Sequence, residues 1–165
     1  MTGSLLDHFL NWLQDTPFAT AIAGSSWLFP GIESVHVLAI ALVVGSITMV
    51  DLRLLDVNLR DRPVGELIDE ILPWTWTSFA VAVCSGALLF SSNAAHYWGT
   101  VPFRAKMLLL ILAGVNMTVF HATTHRSVEV WGRQPRTPWA AKISGGISLG
   151  LWIGVVALGR WIGFV

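Results

Sequence analysis

The sequence predicts an all-α protein: an integral membrane four-helix bundle with a short amphipathic surface helix ahead of it. Three observations carry that prediction. The 165 residues are 54% hydrophobic and only 12% charged, with a mean hydropathy of +0.64, which is membrane-protein composition. Four stretches, at about 29–57, 71–92, 103–125 and 139–164, are apolar over the roughly 20 residues that a helix needs to cross hydrocarbon. Their apolar runs are unbroken, whereas a membrane barrel alternates apolar and polar residues in more numerous, shorter segments. The loops between them are too short for a second domain, so residues 1–165 are expected to form one transmembrane unit.

The first element is a surface helix over 4–15. Leu5, Leu6, Phe9, Leu10, Trp12 and Leu13 share one broad side, Ser4 is placed as its N-cap and Pro17 as its stop. It makes a poor signal peptide, because Asp7, His8 and Asn11 interrupt the apolar run and no basic residue precedes it. Span 1 carries Glu33, His36, Asp51 and Arg53 within its apolar run. Pro63 and Gly65 mark the turn before span 2, with Pro73 near that span's start; Gly132, Pro135 and Pro138 break the segment before span 4. Span 4 repeats Gly146, Gly150 and Gly154 at four-residue spacing, a small-residue stripe suited to close helix packing, a homo-oligomer contact or a flat cofactor. Cys84 falls within span 2 and reads as packing.

Arg53, Arg60, Arg62, Arg126, Arg133, Arg136 and Lys142 gather on one side of the spans, against Arg104, Lys106 and Arg160 on the other. By the positive-inside rule the first side is cytoplasmic and both termini are periplasmic. Trp74, Trp76, Trp131 and Trp139 would form a belt on the first side, and Trp27, Trp98 and Trp161 on the second. Ten basic and ten acidic residues cancel, so there is no basic face for a nucleic acid.

Ionisable groups in hydrocarbon are costly and tend to mark function. Glu33 and His36 are three residues apart on one helix face, with His96 and His8 toward the same side of the membrane. His121, His125 and Glu129 recur every four residues near the other side, where Asp51 and Arg53 also lie. The bland reading makes these helix caps, interfacial groups and structural pairs, Asp51–His121 or Asp51–Arg53 among them. The sharper one makes His36, His96, His121, Glu33 and Arg53 cofactor residues, or His36, His96, His121, His125 and Asp51 metal ligands, since histidines at i, i+4 coordinate from one helix face. A di-iron core is not expected, because spans 2 and 4 contain no acid.

The stretches "ESVHVLAIALVVGSITMVDLRLL", "LPWTWTSFAVAVCSGALLF" and "FRAKMLLLILAGVNMTVFH" resemble a family, of unknown function, of small bacterial four-span inner-membrane proteins. The resemblance implies the fold and the inner membrane and carries no activity. The architecture is similar more loosely to membrane b-type cytochromes, which hold haem between histidines of different helices, and this likeness rests on no shared motif. Three functions follow as expectations: a haem b or quinone-linked electron-transfer subunit serving a periplasmic redox partner or a larger membrane complex, a cofactor-free accessory or anchor subunit, and a proton or divalent-metal transporter. Depth limits the histidine pairs. His36 and His96 are at similar depth, whereas His121 lies about 13 Å deeper than His36 by helical rise, with Glu33 placed to take a quinol proton and Arg53 to meet a haem propionate.

Overall fold

The computed structural model describes residues 5–57, 59, 61–132 and 136–164. Ser4, Arg60, Arg133 and Pro135 lie outside the described residues. The helices are α1 (Leu5–Gln14), α2 (Pro17–Gly24), α3 (Leu28–Leu54), α4 (Val64–Ser91), α5 (Ala94–Gly99), α6 (Val101–Ala122), α7 (Val128–Trp131) and α8 (Trp139–Trp161). Single 3-10 turns follow at His125–Ser127 and Ile162–Phe164, and no strand occurs among the described residues. Four of these segments, Leu28–Leu54, Val64–Ser91, Val101–Ser127 and Trp139–Phe164, are long and apolar enough to cross a membrane. The chain is a multi-pass membrane protein of all-α class.

Local chemistry explains where the helices start and stop. Pro17, expected as a stop, instead opens α2 from its first turn, where its missing N–H costs nothing. The Ser25 hydroxyl accepts the N–H groups of Trp27 and Leu28 and so caps the start of α3. α4 starts at Val64, seven residues before the expected boundary at 71, and carries Pro73 inside it. Pro73 withholds its bond from the Asp69 carbonyl, and Asp69 is exposed, so the helix continues through the interruption. At the end of α3 the Val57 N–H reaches back to Leu52 O and the Asp56 N–H to Arg53 O, with Asp56 at φ 58°. This is a Schellman stop with aspartate in the left-handed position that glycine usually fills.

α3 packs along α4, α6 along α8, and α3 against α8, while α4 and α6 form no interface of comparable extent. The four long helices thus make a ring with a seam between α4 and α6. Leu54, Val64, Ile68, Phe120, Trp131 and Ala141 close the seam at the basic end, the one that holds Arg53 and Lys142. At the opposite end Phe90 stacks on Phe103 with centroids 5.0 Å apart, and Tyr97 and Trp98 flank Phe103. Elsewhere the long helices turn apolar side chains outward, among them Leu38, Leu42, Ile111 and Ile153, as a lipid-facing surface requires.

The expected aromatic belts take one correction. Trp74, Trp76 and Trp139 are exposed at the basic end and Trp27, Trp98 and Trp161 at the other, but Trp131 is only 6% exposed and belongs to the core, its indole N–H donating to Thr124 O. Gly145, one place before the expected glycine stripe, lets α8 approach α3 closely: a Cβ there would lie 3.1 Å from Leu54 Cβ and 3.2 Å from the Asp51 carbonyl oxygen. Within the stripe, Gly154 faces Leu109 of α6, Gly146 reaches Leu55 at ordinary contact distance and Gly150 opens on empty space. α1 lies against α5, with Leu10 buried, Phe9 and Trp12 exposed, and the Gln14 side-chain oxygen accepting the Ala95 N–H.

Candidate functional site

His36 lies on α3 and turns its ring onto α4, where its Nδ1 is 3.0 Å from Ser85 Oγ. The Ser85 hydroxyl has one proton, and it is directed at Val81 O at 2.6 Å. Ser85 therefore accepts from His36, which places the imidazole proton on Nδ1 and leaves Nε2 with a bare lone pair. The Ala82 carbonyl is a second acceptor for the same ring. Gly86 makes the arrangement sterically feasible, since a Cβ there would stand 2.8 Å from His36 Cε1. Lys106 of α6 and Glu33 both act electrostatically on His36. The Lys106 ammonium lies over Gly159 of α8, while Glu33 is exposed. Tyr97, on α5, joins this end: burial pushes its phenol up, and the Glu33 carboxylate adds to the rise. His96 is exposed beside Tyr97 with ring centroids 5.9 Å apart, and His8 is exposed on α1.

The basic end carries a buried polar network. Arg53, 2% exposed, gives Nε–H to Arg62 O at 2.9 Å and Nη1 to Asp56 Oδ1 at 3.5 Å and Thr137 Oγ1 at 3.3 Å. Asp56, 7% exposed, accepts from Thr137 Oγ1 at 2.6 Å and from the Thr137 N–H, and pairs with Lys142 Nζ at 2.8 Å. Burial works against its charge, but the bonds from Lys142 and Thr137 outweigh burial and hold the carboxyl down at about 2. Arg53 is thus joined to Asp56 rather than to Asp51, and its guanidinium is engaged where a haem propionate was expected to meet it.

Asp51, 4% exposed, instead faces α8, where the Ser148 hydroxyl bonds its carboxyl; its Oδ2 has no hydrogen-bond partner among the described residues. One turn along α8, Ser144 exchanges bonds with Asn116 of α6, and on α3 Ser46 accepts from Thr75 of α4 at 2.8 Å. All four long helices contribute to this polar layer.

His121 is the other histidine with an anchored ring. Its Nδ1 is 2.9 Å from Met117 O, and because a carbonyl only accepts, Nδ1 carries a proton; in the neutral ring Nε2 is then the acceptor. The His125 ring stands at a 4.9 Å centroid distance, and Phe120 is edge-on to His121 at 5.5 Å. Among the described residues no three His, Cys, Asp or Glu side chains converge as a metal site. Asp51 is turned to α8 and His36 to α4, so neither is brought onto the His121–His125 pair; the Glu129 side chain lies outside the described residues. Cys84 is exposed on a groove between α3 and α4 rather than packed.

Ser85, Lys106, Asp56 and Thr137 are the residues that the pattern of charges in the spans leaves unnoticed. Ser85 and Thr137 carry no charge, Asp56 falls in the last residues of the expected span 1, past the end of α3, and Lys106 reads as a helix end. A left-handed position directly after a helix is the one local signal that singles out Asp56, since aspartate tolerates that backbone.

Residues 12–165 match the model of a family of unknown function, DUF6644. No curated protein and no solved structure matches the chain.

Proposed function

We propose, since the chain belongs to this family of unknown function and takes no activity from it, that the protein is a quinone-linked electron-transfer subunit that carries haem b at His36. In this reading it lies in a bacterial inner membrane with both termini periplasmic and serves a periplasmic redox partner or a larger membrane complex. The observation that carries the reading is the state of His36: ring fixed by Ser85, Nδ1 protonated and Nε2 free in an apolar bundle. Ligating histidines are held in this way by a bond from the far ring nitrogen. His96 is the histidine at the same end and would be the second residue to hold the group, with Lys106, rather than the engaged Arg53, as the cation available to its acidic side chains. Haem, when bound, supplies the one-electron carriage. Glu33 stands at the rim as a proton acceptor.

The test is an absorbance spectrum of purified protein, oxidised and then dithionite-reduced, with a pyridine haemochrome assay. The expected result is a reduced b-type alpha band that His36→Ala removes. A colourless, folded protein from haem-sufficient cells overturns the reading and leaves the accessory or anchor role, which the buried Arg53–Asp56–Thr137–Lys142 network favours. Transport is favoured by one observation, the unpartnered Asp51 oxygen in the polar layer, and proton flux into proteoliposomes checks it.

A further inference from the structure

The seam between α4 and α6 opens between its two closed ends as a groove lined by Leu72 and Trp76 on one side and Met117, Thr118, His121 and Ala122 on the other, with a volume of about 480 Å³. Both edges belong to membrane-spanning helices. Two polar groups in the groove have their hydrogen bonds accounted for. Thr118 gives its hydroxyl proton to Gly114 O at 2.8 Å, and His121 gives its Nδ1 proton to Met117 O at 2.9 Å. What each has left is a lone pair. With Nδ1 turned back onto its own helix, the far edge of the His121 ring, which carries Nε2, points away from α6.

We infer that this groove binds the reduced, hydroquinone form of a lipid-soluble quinone, with one ring O–H donating to His121 Nε2. The assignment rests on the quinone-linked part of the functional reading above. An acyl chain would fill the apolar wall but offer no proton, leaving the Nε2 acceptor without a donor from the ligand. An oxidised quinone carries carbonyl oxygens alone: it can accept from the Trp76 indole N–H but brings no proton for the two lone pairs. A hydroquinone carries two O–H donors on a ring that suits the Trp76 wall. The His125 ring, 4.9 Å from that of His121, and Asp69 of α4, which acts electrostatically on His125, extend the polar groups from the groove toward the basic end.

Diethylpyrocarbonate acylates bare imidazole nitrogens, so the whole protein in lipid nanodiscs supplies its own reporter. His121 modification, mapped by mass spectrometry, is expected to be blocked saturably by decylubiquinol, blocked several-fold less effectively by decylubiquinone, and not blocked by decanol. In His121→Phe, which keeps an aromatic ring beside His125 and removes the acceptor, saturable decylubiquinol uptake should fall about 3- to 10-fold, the worth of one hydrogen bond. Equal protection by decanol, or by quinone and quinol alike, overturns the assignment. So does a His121 that resists the reagent, or one that quinol leaves unprotected, and an intact haem band in the same sample then shows that the electron-transfer reading survives without this site. Quinol protection in a colourless protein separates the two in the opposite direction, keeping the groove and removing the haem.

Discussion

The two ends of the bundle treat polar groups in opposite ways. At the basic end Arg53, Asp56, Thr137 and Lys142 satisfy one another in several directions at once and sit beside the Leu54–Phe120–Trp131 core. At the other end His36 has no charged partner in hydrogen-bond contact and is held by the Ser85 hydroxyl at Nδ1 and by the Ala82 carbonyl. The contrast separates charge that builds the fold from polarity that is left available. A buried charge with several partners is a structural element whose removal strands the others. An imidazole with one nitrogen tied and one free is oriented for a ligand or a proton.

The comparison breaks most readily at Asp56. Asp56→Ala leaves Arg53 and Lys142 without their carboxylate and should cost about 3–5 kcal/mol, read as thermal unfolding in detergent. Asp56→Asn, which tolerates the left-handed backbone and keeps an acceptor for Thr137, should cost clearly less. Acid gives the next largest effect. The folded carboxyl titrates at about 2 against an ordinary 3.8, so its contribution is present above the ordinary value and is lost as the pH falls through about 4 to 2. At about 1.4 kcal/mol per pH unit that gap is worth roughly 2 kcal/mol, and Asp56→Asn should flatten stability across the same window. An unchanged profile in that variant would remove Asp56 from the account.

Gly145→Ala should follow, at about 1–3 kcal/mol of overpacking, because the new methyl meets Leu54 Cβ and the Asp51 backbone. Gly150→Ala, with open space around it, should be neutral or slightly stabilising; a loss as large as that of Gly145→Ala would indicate that a second copy packs there. The smallest effect is expected at the His36 end. Ser85→Ala should cost about 1 kcal/mol or less and, on the proposed haem reading, shift the reduced alpha band, since the ring loses the bond that orients it. A Ser85→Ala protein as unstable as Asp56→Ala would erase the distinction between the two ends.

The spans were legible because hydrocarbon demands long apolar helices and the sequence supplies four. Their ends were less so. Pro73 looked like a boundary and is an interior residue, and Pro17 looked like a stop and is a start, because proline is tolerated wherever the missing bond falls at a helix end or at exposed backbone. Of the site, His36 and His121 stand out as histidines in apolar runs, but their tautomers depend on Ser85, Val81 and Met117, and the Ser85 contact joins positions 49 residues apart. Arg53 shares a span with Asp51, so sequence proximity suggested that pair. The left-handed turn after α3 delivers Asp56 instead, and the direction a side chain takes at a helix end is a property of the backbone path, which composition does not display. The glycine ladder shows the same limit: spacing identified the right helix, and the close contact with α3 falls one residue away, at Gly145.

Asp56 and Thr137 are 81 residues apart, and that separation orders events during synthesis. When α3 enters the bilayer, neither Thr137 nor Lys142 has left the ribosome, so Arg53 and Asp56 must wait at the water interface with their hydration intact. Only after the last helix arrives can the pair be taken out of water. The cytoplasmic or periplasmic face that holds this end is therefore the last part of the molecule to seal, and a chain cut short before α8 would keep an open, hydrated charge pair for quality-control proteases to find.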